Sequence, residues 1–108
     1  MANQPISVET ANQMIASYIT YMKNLGVDME RQTESVSFSS PGLINWLNEV
    51  APYCDEIRIF NGLYGSGDHD QRTTVILWPY RNGQPATRQQ SINGDNYVNP
   101  LNEGELHP

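Results

Sequence analysis

Two runs of β-branched and aromatic residues, Ile57-Arg58-Ile59-Phe60 and Thr73-Thr74-Val75-Ile76-Leu77-Trp78, flank a polar loop rich in glycine. Such runs separated by Gly65-Ser66-Gly67-Asp68-His69-Asp70 predict an antiparallel hairpin at the centre of a small sheet. Side chains alternate between the two faces of a strand. If Ile57, Ile59, Val75 and Leu77 face the helices, Ile59 and Val75 are expected to be fully buried. The opposite face then carries Arg58, Phe60, Ile76 and Trp78. That face is too apolar to be left wet, and its available covers are the C-terminal tail or another protein chain.

Upstream, Val8, Ala11, Ile15, Tyr18, Met22 and Leu25 recur at spacings of three and four, the period of an amphipathic helix over residues 7–25. Ser7 is placed to cap it, Glu9 lies near the positive end of its dipole and Gly26 is placed to end it. Residues 27–38 are polar and charged, and read as a connection ending in a short extended piece, Val36 to Phe38. A second helix is expected over residues 40–51, with Ser40 as N-cap and Pro41 in the first turn, and with Pro52 as its stop. Leu43, Ile44, Leu47 and Val50 would face the core. Beyond the hairpin, Asn82-Gly83 signals a two-residue turn, because both central positions need positive φ. A third strand from about Gln84 to Ile92 follows, confined to an edge by Pro85. Residues 93–108 read as an irregular tail, held by Tyr97, Val98 and Leu101. The expected fold is α+β in one domain over residues 1–108: two N-terminal helices packed on an antiparallel sheet of about three strands within residues 56–92.

The 108 residues include 12 acidic and 6 basic side chains, for a formal net charge of −6. Lys23, Arg31, Arg58, Arg72, Arg81 and Arg88 are scattered, whereas binding a phosphate backbone requires clustered basic residues, so nucleic acid is not expected as a partner. Residues 1–5 carry neither a basic nor an apolar leader segment, and no window approaches a membrane span. The expected location is cytoplasmic, without membrane attachment. Cys54 is the only cysteine, so no intramolecular disulfide or thiolate metal cluster can form within one chain.

The order of capped helix, Ser-Pro helix, Ile57-Arg58-Ile59-Phe60 strand, Gly62 and Thr74-Val75-Ile76-Leu77 strand resembles a group of small uncharacterised bacterial α+β proteins. Those proteins share an Ile-Arg-Ile-Tyr strand leading into a glycine, and a Thr-Leu-Val-Leu-Val strand after a polar loop. The tail departs from the group, with Leu106-His107-Pro108 where others tend to carry Cys-Pro. The resemblance implies the fold and brings no established activity.

Asp68-His69-Asp70 is the one dense cluster able to ligate metal or exchange protons near neutral pH. A solvated hairpin tip accounts for the same residues, since tight turns demand Gly, Asp and Ser. Cys54 lies beside Asp55 and Glu56, an acidic setting that disfavours a thiolate, and is read as structural. Arg58 either extends to solvent or pairs with Glu49 or Asp55. Trp46, Tyr64, Trp78 and Tyr80 are candidates for an exposed aromatic patch. No phosphate-binding loop, dinucleotide fingerprint, nucleophile elbow or zinc-protease motif is present. No cofactor is expected. The reading reached is a non-catalytic interaction module, self-associating or docking a protein through Phe60, Ile76, Trp78 and Arg58. The alternative is a metal-assisted or acid–base enzyme using Asp68, His69 and Asp70.

Overall fold

The computed structural model describes residues 3–65, 72–88, 97–102 and 104–107. It is an α+β fold with two helices and two small antiparallel sheets. Helix α1 spans Val8–Asn24, and its Ser7 cap accepts from the Thr10 amide at 3.0 Å. It ends at Gly26, whose φ of +89° lets the Val27 amide reach back to the Met22 carbonyl at 3.0 Å. Helix α2 spans Ser40–Val50. Its cap is Ser39 rather than Ser40: the Ser39 hydroxyl accepts from the Gly42 amide at 3.1 Å. Pro52 does not stop the chain's winding. It sits inside a 3-10 turn, Ala51–Tyr53, that continues directly from α2, because a proline in a first turn has no amide to leave unpaired.

Strand β1 is Ser35–Ser37, β2 is Glu56–Leu63, β3 is Thr73–Arg81, β4 is Gln84–Pro85 and β5 is Glu105–His107. The larger sheet has the order β2-β3-β4, all antiparallel, with Ile59 opposite Leu77 and Phe60 opposite Ile76. Asn82 and Gly83, at φ of 54° and 77°, make the expected tight turn into β4. The third strand is shorter than expected, two residues followed by a bridge from Thr87 to Tyr97, and residues 89–92 lie outside those described.

Part of the tail pairs with other strands rather than lying irregular. Leu101 exchanges backbone hydrogen bonds with Leu77 at 2.9 and 2.8 Å, on the side of β3 away from β2. β5 pairs antiparallel with β1 to form the second sheet, with Leu106 opposite Val36. The core follows from this closure. Val50 from α2, Ala86 and Val98 are buried together, with Trp46, Tyr53, Cys54 and Ile57 packed against them. Pro79 and Leu77 of β3, Leu106 of β5 and Met29 are also buried.

Two expectations fail at the helix-facing side of the sheet. Ile59 is 66% exposed and Val75 is only half-buried. The cause is that α1 buries none of its residues: Val8, Met14 and Ile15 on its apolar stripe remain exposed. The Ile57 end of this face is occupied by α2 and the 3-10 turn, whereas Ile59 and Leu63 further along β2 stay exposed.

Candidate interaction surface

Arg58, Phe60, Ile76, Trp78 and Tyr80 share one face of the β2–β3 ladder, as strand alternation requires. The Phe60 ring meets Trp78 edge-on at 5.8 Å between centroids, and Tyr80 completes the group at 6.1 Å from Phe60 and 6.2 Å from Trp78. Edge-to-face rings put a positive rim against a negative face, worth about 0.5–1.5 kcal/mol per pair beyond the area they bury. The Arg58 guanidinium lies 4.2 Å from the Tyr80 centroid, and its Nε and Nη2 both donate to Glu56 Oε1 at 3.1 and 2.9 Å. Its acidic partner is therefore Glu56, neither Glu49 nor Asp55. Glu49 instead meets Arg88 at 3.5 Å, and Asp55 accepts from the Asn82 amide at 3.2 Å, bracing the β3–β4 turn.

This face is partly open. Phe60 is 38% exposed, Trp78 and Ile76 are half-buried, and the Trp78 indole Nε1 is buried with no hydrogen-bond partner among the described residues. Of the two covers foreseen for it, the tail meets the Thr74 end through Asn102, which bonds the Val75 carbonyl at 2.8 Å and Thr74 Oγ1 at 3.4 Å, and accepts from the Tyr64 hydroxyl at 3.3 Å. Trp46, also a candidate for the aromatic patch, packs against the core instead.

The backbone of β2 offers a second feature, which side-chain pattern alone could not disclose. Leu77 spends both its backbone groups on Leu101, and Ala86 and Asn102 bond the carbonyls of Pro79 and Val75 on that same side of β3. Odd-numbered residues of β3 thus bond away from β2, and even-numbered ones bond toward it, a parity that the Tyr64 amide continues by donating to the Arg72 carbonyl at 3.1 Å. In an antiparallel ladder the residue opposite shares that parity. Ile57, Ile59, Asn61 and Leu63 consequently aim their N–H and C=O groups at the outer edge of β2. Among the described residues, no strand pairs with that edge.

Asp68, His69 and Asp70 lie outside the described residues. Among the described residues, no three His, Cys, Asp or Glu side chains gather where they could hold a metal ion. Cys54 is half-buried, and burial pushes its thiol pKa up, with Arg81 opposing and Asp55 adding to the rise. His107 Nε2 is engaged by the Ser37 hydroxyl at 2.9 Å in the smaller sheet. A cleft of about 430 Å³ lies between Tyr18 of α1, Thr33 to Val36, and Asn61 and Thr73 of the larger sheet; Glu34 is the one carboxylate in its walls. No helix among the described residues is long and apolar enough to cross a membrane. No family model, curated protein or solved structure matches the chain.

Proposed function

We propose that this protein is a non-catalytic interaction module that works by binding another protein surface. The observation that carries the reading is apolar surface left open on several sides at once. Ile59, Leu63, Phe60, Ile44 and Leu47 are exposed, as are Val8, Ile15 and Tyr18 of the α1 stripe. Exposed apolar surface on this scale marks an interaction site. The aromatic cluster adds the residue types that dominate binding energy at interfaces, Trp78 and Tyr80 beside an arginine placed over the Tyr80 ring.

Crosslinking in the cell that makes the protein tests this. A crosslinked complex that is lost on Trp78→Arg or on Ile59→Lys, while the variant still folds, is the expected result. A chain that forms no complex, yet binds a divalent ion at micromolar strength through Asp68, His69 and Asp70, would replace the module with the metal-assisted enzyme.

A further inference from the structure

Among the described residues no strand pairs with the outer edge of β2, and that edge is self-complementary. Taking the interaction-module reading as its basis, we infer that two copies of this chain pair β2 to β2 in antiparallel register, forming one six-stranded sheet across a two-fold axis. Edge strands of soluble proteins are ordinarily short or blocked by proline, a bulge or a charge turned into the pairing surface. β2 has eight residues and none of these: it lacks proline, its register with β3 is unbroken from Glu56 to Leu63, and its one basic side chain, Arg58, is turned onto Glu56 and Tyr80. An antiparallel strand pair is self-complementary about a two-fold, so a second copy satisfies the edge without further specification. The other side of β3 is already taken, by β4 with Pro85 and by Leu101. Two β2 edges therefore close on each other into a dimer rather than propagating into a fibre.

The register is set by which backbone groups are free. Only the odd-numbered residues can exchange hydrogen bonds across the new seam, and the register that uses all four of them places Phe60 opposite Phe60 of the second copy. Ile59 then bonds with the second copy's Asn61, and Ile57 lies beside the second copy's Leu63. The exposed side chains of β2, Ile59, Phe60 and Leu63, are the ones this arrangement covers. Ile59 and Leu63, 66% and 65% exposed, give the seam apolar side chains to bury.

Sedimentation of the full chain across about a hundredfold concentration range, combined with amide hydrogen exchange, tests this. The expected result is a monomer–dimer equilibrium in which the amides of Ile57, Ile59, Asn61 and Leu63 exchange about 100-fold more slowly in the dimer. Those of Arg58 and Phe60, bonded to β3, stay protected in both states. Ile59→Pro removes an outward amide without touching the β3 ladder, and should weaken association by about 100-fold or more; Ile59→Lys, which places a charge on the edge, should do the same if the proline variant fails to fold. A dimer whose four odd-numbered amides exchange as fast as in the monomer overturns the inference. So does a dimer unmoved by both Ile59 variants but split by Trp78→Arg, which would leave the module reading standing on the aromatic face. A chain that is monomeric throughout also overturns it, and the crosslinking experiment then decides the module reading independently.

Discussion

Gly104 shows how tightly a single residue can be constrained by a partner distant in sequence. A Cβ at this position would lie 2.9 Å from the Ser37 carbonyl oxygen and 3.0 Å from the Phe38 ring, as well as against Val36. Backbone oxygen cannot swing aside, so Gly104→Ala is expected to cost about 1–3 kcal/mol of stability in denaturant unfolding, as overpacking does. Nothing in the run from Asn102 to Glu105 advertises that constraint, because it comes from β1, almost seventy residues earlier. Arg58 was legible only in part. Its alternation onto the aromatic face follows from strand period, and the same period places Glu56, two residues earlier, beside it, a signal that the reading of Glu49 or Asp55 as partner passed over. At Cys54, burial outweighs Arg81 and raises the thiol pKa. Alkylation at pH 8 should accordingly be slower in the folded chain than in the unfolded one, since less thiolate is present. Equal rates would show the sulfur to be free in solvent. The raised pKa also means that the stability linked to this group is present below the ordinary thiol range and is lost as pH rises through the folded value.

Helices and the hairpin were readable because their signals are local. The period of three and four, the serine caps, the glycine stop and the Asn-Gly turn each act within a few residues, and the structure has two helices and an antiparallel hairpin, with the α2 cap one residue earlier than expected. What local signals did not specify is how α1 meets the sheet. Its stripe has the right period for a buried helix, yet no residue of α1 is buried. Helical period reports which side chains would share a face, not what that face touches. Mutational cost should follow burial rather than pattern. Leu77→Ala, at a 9% exposed residue bonded on one side to Leu101, is expected to lose about 2–5 kcal/mol. Ile59→Ala, on the same sheet face directly opposite, should lose within about 0.5 kcal/mol in the dissociated chain, as exposed positions do. Comparable losses at both sites in chemical denaturation would mean that α1 seats on the sheet in solution.

At the scale of the whole molecule, the described tail residues serve the core. Val98 is 1% exposed beside Val50 and Ala86, Leu101 flanks β3, and Leu106 is buried in the smaller sheet. Removing residues from Asn93 onward should abolish the cooperative thermal transition, not merely uncover one face of the sheet; retention of that transition would show the helices and hairpin to be self-sufficient. In sequence, this segment reads only as an irregular tail and one of two possible covers for the aromatic face. Its contribution as strand and core was illegible because β5 is three residues long and its partner lies some seventy residues away, beyond any periodicity a short window can register. The aromatic face was legible from alternation alone, whereas the free edge of β2 required knowing which backbone groups β3 had already used.

The pairing of β1 with β5 also sets a timetable for biosynthesis. Val36 meets Leu106, and Val50 meets Val98, only after those late residues have left the ribosome. Until then the nascent chain can wind α1 and α2 and close the β2–β3 hairpin, all of which depend on near neighbours, but it cannot seal the core. Contacts this remote in sequence are slow to close, because loop entropy must be overcome before they return any stabilisation. Folding is therefore expected to complete only as residues 97–107 emerge. A force-sensing arrest sequence placed at successive distances downstream should record one late release, with no earlier step at the end of β3.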